Sequence, residues 1–520
     1  RSVLLPSMGR VRLWHSRSLL SLTSLLLTLA ILLVDYVSLP SNHEIKDQST
    51  EEGDLMKDVD YVMDAIEYLH AARSGHAHVL PVVENERKVR ELYWSCRLRR
   101  RRRGGNEMGD AREDKRGEDR GKKTHRWTTN DLFHVFSAHI DTRPNSLYPH
   151  SNAIQVLAMS YRTPNITVYC NIFSGQSSTV VEATVREIWQ RGWDPRGNFI
   201  VPLLITCPIP NWMVGEEKIE VQLTTRFCRT EEETIPVLVP STRRPKAKVA
   251  VCVKGMDFDH DISTSLVEWI EMQLLFGADS ISIYVYSVPP IVEKVLNKYE
   301  SEGKIQVMYI DLPGDESPHI PLVRSQYTKR NRQQKRRHEL IPYNDCLYRH
   351  LNSHEYILIV DTDEVVVPLV HKSWTELLEE AESSSHDRLF SSLSLRNVFK
   401  FPHNETLDDR NSRLPYLTNR IRSRKTSKKG DYGKSFSSTS HVASVFNHFS
   451  LHRLSPSISS TVYIPEHSAL KLHYKSSCPI ESRHECPEMI GDTVEDRSLD
   501  RFSVQLEERV KESRRVIGLD

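Results

Sequence analysis

Residues 356–368 read YILIVDTDEVVVP. The apolar residues Tyr356, Ile357, Leu358, Ile359 and Val360 run into Asp361, Asp363 and Glu364 before the apolar pattern resumes at Val365. An unbroken apolar run of this kind is the pattern of a strand covered on both faces, as in parallel sheets. Carboxylates crowded at the mouth of such a strand repel one another unless positive charge lies between them. The stretch therefore sets two expectations: a central parallel strand, and a cation or ligand at its carboxyl end.

The flanking sequence supports the first expectation. Upstream, VAVCV (249–253), SISIYVY (280–286) and IQVMYI (305–310) read as strands. Between the first two, 263–276 reads as a helix with Val267, Ile270 and Leu274 on one face and Gly277 placed to end it. Pro289 and Pro290 open a second helix carrying Val292, Val295, Leu296 and Tyr299 at helical spacing. A third helix is expected over 342–351, leading into YILIV. Strands alternating with helices argue for a parallel, Rossmann-like sheet, whose ligands bind beyond the carboxyl ends of the strands. Asp361 to Glu364 fall at such an end.

Earlier in the chain the texture is different. From Trp127 to about Pro240 the short runs FHVFSAHI, AIQVLAMSY, NITVYCNIF, FIVPLLITC and KIEVQLTT predict a small antiparallel sheet or sandwich. STRRPKAK (241–248) reads as the hinge to the α/β part. The fold class expected is α/β, with a Rossmann-like catalytic domain behind a small β-rich domain.

Residues 18–34 carry no charge and follow Arg10, Arg12 and Arg17. A span needs roughly 20 apolar residues, with about 17 as the lower limit. The arginines predict a cytoplasmic N-terminal end and a luminal remainder. The alternative is a cleaved signal peptide. The chain of 520 residues thus divides into a tail (1–17), a signal-anchor transmembrane helix (18–37), a stem and charged linker (38–126), the β-rich domain (127–245), the catalytic domain (246–490) and a helical tail (491–520). A luminal address agrees with sequons at Asn165 and Asn404, and it permits disulfides among the eight cysteines, none of which forms a C-x-x-C pair. A formal net charge of +1 points to no nucleic-acid partner, and the arginine run 99–103 reads as solvated linker.

Three readings of the acidic tip compete. It can be a solvated turn. It can be the D-x-D-x-V of a haloacid-dehalogenase-like phosphatase, with Asp361 as nucleophile, Asp363 as general acid/base and a second acidic pair at Asp492 and Asp496. Or it can be a D-x-D site in which a hard dication bridges the phosphates of a nucleotide-sugar and stabilises the leaving diphosphate. Against the phosphatase, the residues ahead of Gly491 do not make an apolar strand, and a full βαβαβ run precedes Asp361.

Further pieces recur along the chain: SAHIDTR (137–143), VAVCVKG (249–255), VEWIEMQLLFGADSISIYVYS (267–287), YNDCLYRH (343–350), SVFNHFS (444–450) and ALKLHYK (469–475). Together with YILIVDTDEVVVP, in this order and spacing, they resemble glycosyltransferase family 92. The resemblance implies a GT-A fold and a Golgi membrane protein of single-pass type II. It implies inverting, metal-dependent transfer of galactose from UDP-galactose, or another sugar from its UDP donor, to a glycan on a glycoprotein or glycolipid. Mn2+ or Mg2+ is the implied cofactor. Asp361, Asp363 and Glu364 form the implied catalytic set. Asp361 and Asp363 hold the metal and donor diphosphate, with His448 or His473 as a later imidazole ligand and Asp257 and Asp345 on the donor side. The general base stays open among Asp315, Glu316, Asp431 and Glu466. The basic segment 328–337 is expected as a solvated loop, or as a lid over the diphosphate. A non-catalytic, glycan-binding pseudoenzyme is the non-enzymatic alternative.

Overall fold

The computed structural model describes residues 125 and 127–519, apart from 144–151, 162–164, 176, 193, 195–198, 211–212, 214, 217, 227–232, 315–323, 325–329, 386–388, 402–413 and 478–485. The expected anchor at 18–37, the stem apart from His125, the arginine run, Asn404, Asp315 and Glu316 lie outside the described residues. No helix among the described residues is long and apolar enough to cross a membrane.

The first part is all β. Strands β1 (Thr128–Asn130), β2 (Phe133–Asp141), β3 (Ala153–Ser160), β4 (Tyr169–Ser174), β5 (Ser177–Glu182), β6 (Thr184–Glu187), β7 (Val201–Pro208), β8 (Glu220–Thr224) and β9 (Ile235–Leu238) form one sheet. Its order is β5-β4-β8-β9-β2-β3-β7-β6, with β1 paired to β2. Ile154, Val156 and Ala158 of β3 pack with Leu203 and Ile205 of β7 in its core. A disulfide joins Cys170 to Cys207.

The α/β part follows: β10 (Ala247–Asp257), α1 (Ser263–Phe276), β11 (Ser280–Ser287), α2 (Pro290–Ser301), β12 (Ile305–Tyr309), α3 (Arg332–His350) and β13 (His354–Ile359). Strands β12, β11, β10 and β13 are parallel neighbours in that order. Gly277 ends α1 in the left-handed region at φ 117°, and its N–H bonds to the carbonyl of Gln273, the cap that glycine provides without a Cβ clash. Pro290 opens α2, which buries the four expected residues Val292, Val295, Leu296 and Tyr299. A second disulfide, Cys252–Cys346, ties β10 to α3.

Helix α3 corrects one expectation. It begins at Arg332, and Pro342 lies inside it rather than at its start. The sequence reading placed the helix over 342–351 and took the basic residues before it as solvated loop or diphosphate lid. Tertiary packing overrides this for the second half of that segment. Arg337 is buried, with its guanidinium 4.1 Å from the Trp189 ring centroid and 4.3 Å from that of Phe199, and paired at 3.2 Å with Asp194. Its charge is taken up by Asp194 and the two rings, in the connection between β6 and β7.

Beyond β13 the chain forms β14 (Glu364–Pro368), α4 (Trp374–Ser384), β15 (Phe390–Leu395), β16 (Asn397–Lys400), α5 (Pro415–Thr418), β17 (Ile421–Ser423), β18 (Lys434–Ser438), β19 (Val442–Val445), β20 (Ser450–Arg453), β21 (Ser459–Tyr463), β22 (Ala469–Tyr474), α6 (Cys486–Gly491), β23 (Thr493–Glu495) and α7 (Ser503–Ile517). Strands β18, β15 and β21 extend the parallel half-sheet past β13, with β18 antiparallel to it. Strands β14, β22 and β16 make a separate small sheet.

Candidate active site

The quoted stretch folds as β13, a turn at Asp361 to Asp363, and β14. Nearly every polar group of the turn is held. Asp361 N–H donates to Glu364 Oε2 at 3.0 Å, and Glu364 N–H to the Asp361 carbonyl at 3.0 Å. The Tyr416 hydroxyl donates to the Thr362 carbonyl at 2.7 Å, and Tyr474 N–H to the Asp363 carbonyl at 2.9 Å. Indole Nε1–H of Trp269 donates to the Glu364 carbonyl at 2.8 Å. The turn is fixed from α1, α5 and β22, and its acidic side chains are aimed by neighbours distant in sequence.

Lysines supply the positive charge between the carboxylates. Lys254 Nζ lies 3.1 Å from Asp361 Oδ1, and Lys475 Nζ lies 2.6 Å from Asp363 Oδ2. Lys434 and Lys471 reach Glu364 at 3.1 and 2.6 Å. Burial pushes the Glu364 carboxyl up, but Lys434 and Lys471 more than offset it and hold the group well below its usual range. For Asp361 burial is likewise overcome, by Lys254 and Lys434, and for Asp363 by His473 and Lys475; both are depressed. All of them stay ionised at neutral pH.

The acids differ in access. The side chains of Asp361 and Asp363 keep 21% and 37% of their surface exposed, whereas Glu364 keeps 2%. Glu364 therefore holds two buried lysines and the turn itself, a different place from the catalytic one expected of it. Asp363 and Asp361 are the members of the set that a ligand can reach.

Of the two histidines, His473 stands against the acids: its Nε2 is 3.6 Å from both Asp363 Oδ2 and Glu364 Oε1. It faces Glu364 across the β14–β22 pair. Burial, with Lys471 adding to it, pushes its pKa down, so the imidazole is neutral. His448 is neutral too, lowered to about 3 by burial and the nearby Lys434 and Lys471. Its Nδ1–H donates to the Gly433 carbonyl at 2.7 Å, and its Nε2 lies 3.4 Å from the Asn447 amide nitrogen.

The remaining expected residues separate. Asp257, at the end of β10, pairs with Arg324 at 3.1 Å, and that guanidinium lies 5.6 Å from the Tyr286 ring centroid at the end of β11. These groups share the carboxyl edge of the sheet with Asp361. Asp345 is not there. It is fully buried, accepts from Ser137 at 2.7 Å and Tyr284 at 2.6 Å, and pairs with Arg349 at 2.6 Å. It binds the two sheets together and cannot touch a donor. Glu466 pairs with Arg396 at 2.7 Å. Asp492 and Asp496, the second acidic pair of the phosphatase reading, are taken by Arg424 at 2.7 Å and Lys400 at 3.0 Å.

Sequence reasoning missed the lysines, Tyr416 and its anchor Glu268. One signal was present: in ALKLHYK, Lys471, His473 and Lys475 alternate with Leu472 and Tyr474, the period of a strand presenting one polar face.

The family model for glycosyltransferase family 92 matches residues 247–511. The chain belongs to glycosyltransferase family 92. The matched span runs from the start of β10 into α7, so it takes in the whole acidic tip and all the lysines around it. No curated protein matches the chain. Membership makes it a glycosyltransferase, with a nucleotide-sugar donor and a glycan acceptor.

A divalent metal of the kind the resemblance implies can be tested against the donor set. Among the described residues no three of His, Cys, Asp and Glu form a ready-made metal cluster. Yet His473 Nε2, and Asp361 Oδ1 apart from its Lys254 ion pair, are buried without a hydrogen-bond partner among the described residues. A cation shared with substrate phosphates needs only one or two carboxylates from the protein. Asp363 and the neutral His473, 3.6 Å apart, with Asp361 in the same turn, are the residues that would hold such a cation.

Proposed function

We propose that the protein is a metal-dependent, inverting glycosyltransferase of the GT-A type that transfers galactose from UDP-galactose to a glycan. The observation that carries this reading is the reachable pair Asp361 and Asp363 at the carboxyl end of a central parallel strand, with His473 brought against Asp363 from β22. Asp361, Asp363 and His473 would hold Mn2+ or Mg2+, which when bound neutralises charge developing on the leaving diphosphate. The protein's own part is positional. Tyr416, Tyr474 and Trp269 fix the turn, Glu364 keeps Lys434 and Lys471 in place behind it, and Asp257 with Arg324 lines the donor side of the same edge. Inversion asks a carboxylate to take the proton of the acceptor hydroxyl while the sugar–diphosphate bond breaks on the opposite face.

The proposal includes a luminal, Golgi-type address through an N-terminal anchor. The disulfides Cys170–Cys207 and Cys252–Cys346 suit an oxidising compartment, and the sequon Asn165 is exposed. The test is UDP release by the purified chain across a panel of UDP-sugars, with Mn2+ or with EDTA, beside Asp363→Asn. UDP-galactose with Mn2+ is expected to give turnover that EDTA and the substitution abolish. Glycan binding without UDP release would instead make the protein a pseudoenzyme, and turnover indifferent to EDTA would remove the metal.

A further inference from the structure

The lysines at the tip fall into two kinds. Lys434 and Lys471 have fully buried side chains and share the buried Glu364. Moving either would leave a buried charge unpaired, which is strongly unfavourable. Lys254 and Lys475 stand at the rim, with 28% and 30% of their side chains exposed, and each sits on one member of the reachable pair. Lys254 has a second carboxylate, Glu339, at 3.4 Å; Lys475 pairs with Asp363.

A rim ion pair contributes little to stability, so the fold does not require Lys475 to be there. Its position has another consequence. Lys475 occupies the carboxylate oxygen, Asp363 Oδ2, that a cation would need, and a lysine's compact charge on a flexible stem can move where an arginine fork would stay. Charge points the same way. Asp361, Asp363, Glu364 and Glu339 balance the charges of Lys254, Lys434, Lys471 and Lys475, so a dication would leave the cluster with two positive charges. That surplus suits a nucleoside diphosphate and nothing neutral.

We infer that Lys475 is a diphosphate-binding residue which shields Asp363 while the site is empty and transfers its ammonium to the phosphates once a divalent cation takes the carboxylate. Lys254 does the same beside Asp361, retained more strongly by Glu339. This rests on the metal-dependent reading above. It makes the cation and the lysine competitors for one oxygen, and the lysine and the cation partners toward the diphosphate.

The two effects have opposite signs and are separable by titration calorimetry on the full chain. Mn2+ alone is titrated first, then UDP at saturating Mn2+, for the wild type, Lys475→Met and Lys475→Arg. Lys475→Met is expected to bind Mn2+ about threefold tighter, the scale of a lost rim pair. It is expected to bind UDP about tenfold weaker, the scale of one charge-assisted hydrogen bond. Lys475→Arg returns both values toward wild type. A purely structural lysine would weaken both bindings together, and an idle one would change neither; either result overturns the inference while leaving the metal in place. A wild type that binds no Mn2+ overturns the metal reading, and this inference with it.

Discussion

Asp363 and Glu364 are adjacent carboxylates with opposite prospects. Glu364 is the nearest carboxylate to two buried lysines, so Glu364→Gln leaves both ammonium groups short of negative charge and is expected to cost about 3–5 kcal/mol in stability. Asp363→Asn, at the exposed end of the turn, is expected to keep its melting temperature within a few degrees and lose turnover. Denaturant melts of both variants check this, and equal destabilisation would show that the acids act as one cluster. Glu268 extends the argument to a residue behind the site. It is buried in α1, and its oxygens accept from Tyr416 N–H at 2.8 Å and Leu417 N–H at 2.7 Å, capping the short helix whose Tyr416 hydroxyl holds Thr362. Burial raises its pKa to about 8 against the pull of those two N–H groups, from 4.5. Between these values the folded chain keeps a proton that the unfolded chain has released. The stability Glu268 contributes is therefore complete below 4.5 and is lost as pH rises through 8. Glu268→Gln should flatten the fall of melting temperature over this window. It should also lose about 1–3 kcal/mol, because its amide NH2 must face one of the two backbone donors. A slope unchanged in the variant would assign it to another group.

Strand β18 carries Lys434 to the tip by running tight against β15. A Cβ on Gly433 would stand 2.5 Å from the Leu395 carbonyl oxygen, a backbone atom that cannot swing aside. Gly433→Ala should thus push β18 outward, cost about 1–3 kcal/mol as overpacking does, and weaken UDP binding through displacement of Lys434. Unchanged UDP affinity in a folded variant would separate the strand from the site. The same strand shows where the sequence was readable. The parallel half-sheet could be read because its strands are apolar on both faces and its helices carry their own end signals, Gly277 and Pro290. YILIV could be placed at its centre for that reason, and its acids at the carboxyl end. The positive charge around them could not be read, because Lys254, Lys434 and Lys471 arrive on three strands whose pairing depends on long-range register, and Lys475 just past the last of them. Nothing local distinguishes Lys434 in a Ser-rich stretch from the exposed lysines before it. Pro342 misled for the opposite reason: its local signal is strong, and packing of Gln334 and Arg337 on the β sheet carried the helix through it.

At the scale of the molecule, the β sheet and the α/β part share one interior. Phe136, Leu157, Met159 and Trp189 from the first pack in a single cluster with Tyr284, Ile341, Cys346 and Ile357 from the second. Polar ties run through the same face. Asp345 on α3 accepts from Ser137 and lies 2.9 Å from His139, both on β2, and Arg143 donates to the carbonyls of Thr439 and Val442 at 2.7 and 2.6 Å. Burial pushes the Asp345 carboxyl up, and Arg349 and His139 more than reverse this, leaving it well below its usual range. A chain cut at the hinge would present that apolar face to water, together with a buried carboxylate that has lost Ser137 and His139. The fragment 246–520 is therefore expected to bind ANS, to lack near-UV circular dichroism, and to show no cooperative melt. The full chain should unfold both sheets in one transition. Asp345→Asn removes the charge that Arg349 and His139 face, and should lower that transition as a unit by about 3–5 kcal/mol. Two transitions in the variant, or a fragment that melts cooperatively and binds UDP, would mean that the β sheet is an appendage. One transition shifted whole would mean that the transferase site is built on both sheets, so that the acidic tip at the end of β13 owes its position in part to strands more than a hundred residues upstream.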